Sequence, residues 1–124
     1  MVLKAILVDD SAKIRETLVP ALEELAGFVV VATAESAKEA LAAMNAYPEW
    51  QVMILDMFLK EGSGLEVLNT SRNRETWKKV IVLTNYATGQ IRERSIALGA
   101  DAVFDKSTEL DDFFVFCASL SESN

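Results

Sequence analysis

Asp9 and Asp10 close the apolar run Ala5-Ile6-Leu7-Val8, and Asp56 closes a second, Val52-Met53-Ile54-Leu55. A third run, Val80-Ile81-Val82-Leu83, delivers Thr84, and Ala102-Val103-Phe104-Asp105 leads into Lys106. Short apolar runs of this kind read as buried strands. Each hands on a carboxylate, hydroxyl or amine at its carboxyl end. Carboxylates sharing one cleft repel one another unless protons or a cation join them. A hard divalent ion such as Mg²⁺ suits all-oxygen ligation and keeps part of its water shell. Lys106 adds a compact positive charge for a carboxylate or for a phosphoryl oxygen. Thr84 offers a hydroxyl donor to the same oxygen. This is chemistry for a metal ion meeting a phosphoryl group.

Such a site needs strands that deliver these groups together. Strand-like runs occupy residues 3–8, 28–34, 52–56, 80–84 and 102–104. The second, third and fourth are apolar almost without alternation, which fits strands covered on both faces of a parallel sheet. Helical patterns lie between them. Ile14, Leu18, Leu22 and Leu25 recur at helical spacing behind Ser11, a suitable N-cap. Ser36 with Glu39 forms a capping box for a second helix, whose apolar stripe is Ala37, Leu41 and Met44. A third helix carries Leu65 and Leu68 behind Gly62 and Gly64. A fourth spans about 88–98 and ends at Gly99 as C′. A fifth starts near Thr108 and holds Leu110, Phe113, Phe114, Cys117 and Leu120. Phe116 lies off that stripe and is a candidate partner contact. Pro20 lacks the N–H that would reach the Glu16 carbonyl, so a bend is expected there.

Strand and helix alternate throughout, so the expected architecture is α/β: a (βα)5 doubly wound, flavodoxin-like fold with a five-stranded parallel sheet in the order 2-1-3-4-5. In such sheets ligands bind outside the carboxyl ends of the strands where the order reverses. That point lies between the first and third strands and would bring Asp9, Asp10 and Asp56 together.

The chain has 124 residues, suited to one core, with residues 1–120 as the domain and 121–124 as a frayed tail. Apolar residues make up 51 % and charged residues 25 %, so most of the length should be ordered. The formal charge of −7 disfavours nucleic acid, whose phosphates need clustered Lys and Arg. No apolar stretch reaches the length of a membrane span, and Cys117, the lone cysteine, cannot form an internal disulfide. A cytoplasmic location is expected. The absence of histidine removes imidazole catalysis, His metal ligation and phosphohistidine on this chain.

The motifs "VDDS" at 8–11, "ILDMFLKEGSGLEVL" at 54–68, "VLTNY" at 82–86 and "GADAVFDKS" at 99–107 stand in order along the chain. In this the chain resembles the receiver domain of bacterial two-component response regulators, over nearly its whole length. "FDKS" and "GSGLEVL" are similar to a subset that often stands alone. The resemblance implies that Asp56 accepts a phosphoryl group from a phosphohistidine of a sensor histidine kinase or phosphotransfer protein. It implies Mg²⁺ on Asp10 and Asp56, with Asp9 acting mainly through water and the Phe58 backbone carbonyl completing the set. Thr84 and Lys106 would bind phosphoryl oxygens. A conformational change would then be read by a downstream protein on the face of the fourth helix, fifth strand and fifth helix. Pairing of two copies through that face is compatible with the pattern. The transfer would be self-catalysed, a switch rather than a turnover enzyme.

Departures from the family pattern are local. Leu59 and Lys60 stand where Met-Pro is usual, Asn85 where a small residue is usual, and Val103 where a switch aromatic is usual. Ser107 replaces the proline whose cis bond is costly for other residues. Phe58 and Tyr86 are expected to flank Asp56 and limit the water that hydrolyses the phosphoryl group. Trp50 and Trp77 read as structural. Two other functions fit part of the pattern: a degenerate receiver serving as a scaffold, and a Mg²⁺-dependent phosphohydrolase. The second needs an acid two residues after its aspartyl nucleophile, and Phe58 stands there.

Overall fold

Alternate residues of a strand face opposite sides, and here each side meets its own layer of helices. Ile6, Val8, Met53, Leu55, Val80 and Val82 build one core with Ala37, Ala40, Val67 and Leu68. Ala5, Leu7, Val52, Ile54, Ile81 and Leu83 build the other with Leu18, Leu22, Phe113 and Cys117. The computed structural model describes residues 2–122. Strands β1 (Leu3–Val8), β2 (Phe28–Ala34), β3 (Val52–Leu55), β4 (Lys79–Thr84) and β5 (Ala102–Asp105) form one parallel sheet in the order β2-β1-β3-β4-β5. Helices α1 (Ala12–Ala26), α2 (Ala37–Ala46), α3 (Gly64–Thr70), α4 (Gly89–Ala97) and α5 (Leu110–Glu122) alternate with them. The expected fold class and strand order are observed. Among the described residues no helix is long and apolar enough to cross a membrane.

Caps set where the helices begin. Ser11, Ser36, Ser63 and Thr88 each accept an N–H from three residues on, at 3.1–3.2 Å. Each such cap stabilises its helix by about 1 kcal/mol. The Glu39 carboxylate completes its box one residue early, accepting the N–H of Glu35 at 3.2 Å. At the end of α4, Gly99 takes φ +101° while its N–H reaches Ile96 and that of Ala100 reaches Ser95. This Schellman pair closes the helix.

Several expectations need correction. β2 is an outer strand that meets both cores, but Val29 is 45 % exposed and Val30 and Val31 are only partly buried, so its apolar run is covered incompletely. Leu25 is 58 % exposed, and Ala26, four residues after Leu22, faces the core instead. In α2 the small residues Ala37, Ala40 and Ala43 are buried, with Leu41 and Met44 at the flanks. Phe116 packs on Phe104 with ring centroids 5.7 Å apart, which uses the surface proposed for a partner. α5 starts at Leu110 and runs to Glu122, and Ser121 Oγ donates to the Ala26 carbonyl at 2.6 Å. Ser121 and Glu122 therefore belong to the helix, while Ser123 and Asn124 lie outside the described residues. α1 continues through Pro20, with Glu16 and Pro20 both on its exposed side. Trp50 is buried, and Lys78 Nζ lies 5.1 Å from its ring and 5.2 Å from that of Trp77.

Side chains occupy the outer border of the sheet at β5. On β5, the Val103 carbonyl accepts from Arg92 Nη1 at 3.2 Å, and the Asp105 N–H donates to Glu109 Oε1 at 3.0 Å. Arg92 and Glu109 are also ion-paired, and Arg92 Nε holds the Ala87 carbonyl at 2.9 Å.

Candidate functional site

β1 and β3 are neighbours, so the residues just past their carboxyl ends are neighbours too. The Asp9 N–H is held by the Ala34 carbonyl at 2.9 Å, and the Asp56 N–H by the Val8 carbonyl at 3.0 Å. One carboxylate oxygen from each of Asp9, Asp10 and Asp56 lies within 4.8 Å of the others. Asp9 and Asp56 are only 2 % and 7 % exposed, and Asp10 is more open. Asp9 Oδ1 accepts the Ser11 N–H at 2.9 Å, and Asp56 Oδ1 accepts the Phe58 N–H at 3.3 Å.

Lys106 arrives from the loop after β5, its N–H bonded to the Thr84 carbonyl at 3.0 Å. Its amine donates to Asp9 Oδ2 and, at 2.9 Å, to Asp56 Oδ2. Burial pulls the amine's pKa down, but hydrogen bonds and charge attraction from Asp9 and Asp56 outweigh it and hold Lys106 above its ordinary value. The amine neutralises one of the three acids, and the cluster remains net negative.

These groups line an open cleft of about 390 Å³, together with Ser11, Ile14, Phe58, Asn85 and Tyr86. Thr84 is fully buried at the end of β4 and does not line the cleft wall. Its hydroxyl accepts the Tyr86 N–H at 3.3 Å. The rings of Phe58 and Tyr86 meet edge to face with centroids 4.8 Å apart, and both stand largely in solvent beside Asp56. Behind the site Gly64 is essential to the geometry. A Cβ there would lie 2.2 Å from the Asp56 carbonyl oxygen and 2.7 Å from Met57 Cα. The Lys106–Ser107 peptide is trans, since no described peptide bond is cis.

Sequence reasoning missed Arg15, whereas Ser11 caps α1 as expected. Arg15 Nη1 donates to the Asp9 carbonyl at 2.5 Å and lies 3.9 Å from Glu35. Arg15 stands one turn into α1, where its side chain can reach back over the strand end. That position was the available signal.

The donors suit a hard cation: carboxylate oxygens with no sulfur or imidazole among them. The amine and the acids together suit transfer of a group that spreads negative charge over oxygens.

Comparison with known proteins agrees with this fold. The family model for the response regulator receiver domain matches residues 5–115. The acid tolerance regulatory protein ActR of Rhizobium meliloti is 34 % identical over 107 residues, covering 86 % of this chain and 54 % of that protein. The chain spans about half the length of the first curated relatives it matches. The signal receiver domain of a DNA-binding response regulator from Colwellia psychrerythraea superposes with a TM-score of 0.85 at 20 % identity, covering 97 % and 98 % of the two chains. A BeF3-activated DrrB receiver domain gives 0.82 at 24 % identity, covering 98 % and 99 %.

Proposed function

The chain belongs to the response regulator receiver domain family, and we propose accordingly that Asp56 is its phosphoacceptor. The observation that carries this reading is the pairing of a nearly buried Asp56 carboxylate with Lys106 Nζ at 2.9 Å, inside a cluster of acids that calls for a cation. An Asp56 carboxylate oxygen attacks the phosphorus of a phosphohistidine on a sensor kinase or phosphotransfer protein. The P–O bond to Asp56 forms as the P–N bond breaks, and the imidazole leaves with the electron pair and takes a proton from water. Lys106 then faces the new phosphoryl oxygens. Thr84 turns its hydroxyl toward them, giving up the Tyr86 N–H it now accepts. This shift of the loop after β4 is the signal a partner protein reads in the cytoplasm.

Mg²⁺ is the cofactor this donor set fits. Asp10 and Asp56 would hold it directly, Asp9 mainly through water, and the Phe58 carbonyl would complete the protein ligands. The ion would neutralise charge on the transferring group. The domain is a switch whose transfer and hydrolysis are self-catalysed. Phe58 stands where a phosphohydrolase carries its second acid, so turnover is not expected.

Intact mass after incubation with Mg²⁺ and acetyl phosphate tests the reading. Wild type should gain one phosphoryl group, and Asp56→Asn should gain none. Uptake that survives Asp56→Asn, or continuous phosphate release without a stable adduct, would overturn it.

A further inference from the structure

Asn85, which lines the cleft, and Ser107 lie in different loops, one after β4 and one after β5. Ser107 Oγ donates to Asn85 Oδ1 at 3.3 Å. Ser107 is itself fixed: Asp105 Oδ1 accepts its N–H at 2.7 Å and that of Thr108 at 3.2 Å. Asp105 in turn is registered against Thr84 across the β4–β5 ladder. A carboxamide is planar, so an oxygen held on one side leaves the two N–H bonds pointing elsewhere. Asn85 lines the cleft with Asp56 and Lys106, and no acceptor among the described residues takes its amide N–H. Three acids and one amine furnish the charged part of the wall. An uncharged donor in the cleft attracts an oxyanion without competing for the cation.

Building on the phosphoacceptor assignment, we propose that the Asn85 carboxamide is a further phosphoryl-binding donor, beside Lys106 and Thr84, and that Ser107 is the positioning residue that keeps its oxygen turned away. Asn85 Nδ2–H bonds an equatorial oxygen of the group bound on Asp56. The bland alternative is that the Ser107–Asn85 bond only ties two loops together. It differs in consequence: a tie contributes to stability, whereas a donor contributes to phosphoryl affinity.

The test measures beryllofluoride affinity with Mg²⁺ by calorimetry, and acetyl phosphate saturation by intact mass. Urea midpoints of the same variants report any loss of folding. Asn85→Ala should weaken beryllofluoride by about tenfold, the low end for one hydrogen bond to a charged group. It should raise the half-saturating donor concentration in step. Asn85→Asp should weaken it further, because it sets a fourth carboxylate against the oxyanion. Ser107→Ala should cost about two- to threefold alone and nothing more in the Asn85→Ala background, the sign of two residues acting as one. If wild type binds and Asn85→Ala binds equally well, this inference falls while the phosphoacceptor reading stands. If Ser107→Ala costs as much in the Asn85→Ala background as alone, its positioning role falls. If wild type takes up neither probe, the phosphoacceptor reading fails and this inference with it.

Discussion

Lys106→Met removes the cation that bridges Asp9 and Asp56 while keeping a flexible chain of similar length. The two acids are 2 % and 7 % exposed, with oxygens no more than 4.8 Å apart. At an effective dielectric constant of about 20 their repulsion is roughly 3.5 kcal/mol at that separation, and more if closer. In the wild type the amine at 2.9 Å from Asp56, and closer to Asp9, offsets it. Breaking a buried charge cluster by deleting one partner costs about 3–5 kcal/mol. That is a large share of a small domain's stability of about 5–15 kcal/mol. Urea unfolding followed by tryptophan fluorescence, in EDTA, should therefore show a loss of this size. Adding Mg²⁺ should restore more stability to the variant than to the wild type, because the uncompensated acids bind the ion more tightly. Equal stability of the two proteins in EDTA would refute the electrostatic reasoning. Equal Mg²⁺ gains would refute the assignment of the acids to the cation.

Gly64→Ala should cost about 3 kcal/mol in urea melts and slow uptake from acetyl phosphate, because the new methyl meets rigid backbone at Asp56 and Met57. Unchanged stability would mean that the turn relaxes freely. Phe58→Ala and Tyr86→Ala should each shorten the phosphoryl lifetime several-fold by admitting water to Asp56, and equal lifetimes would remove the idea. Burial pushes the Cys117 thiol up to about 12, above its ordinary value. A folded pKa above the unfolded one adds stability that is fully present below about pH 8.5 and declines as pH rises toward the folded value. Thiol reagents at pH 9 should thus react with Cys117 only at the rate of unfolding, and Cys117→Ser should flatten the alkaline decline.

Strand ends were readable because the central strands are apolar on both sides and stop at a polar residue, Asp9, Asp56 or Thr84. Asp9, Asp10 and Asp56 meet because β1 and β3 are sheet neighbours, and the long Lys106 side chain reaches them from beyond β4, as the order of motifs already implied. Thr84 was placed at the correct strand end, yet its hydroxyl is buried against the Tyr86 N–H, a detail of turn geometry that no pattern encodes. β2 misled because an outer strand under two helices can be as apolar as an inner one; only pairing tells them apart. Leu25 misled because steps of three and of four residues both fit a helix, and after Leu22 the step of four, to Ala26, is the one that stays on the core face. The Ser107–Asn85 contact stayed hidden because it joins side chains of two loops 22 residues apart, and the Arg15 contact because its partner is a backbone carbonyl, which any residue carries.

The Arg92–Glu109 pair has one more consequence. It supplies a donor to one outward carbonyl of β5 and an acceptor to one outward amide, the two groups an incoming strand would need. A charged side-chain pair thus imitates a missing sixth strand. Polymerisation by sheet extension is blocked on this flank. A recognition partner approaching here must read protruding side chains, and its specificity can be tuned by surface substitutions without disturbing the ladder beneath.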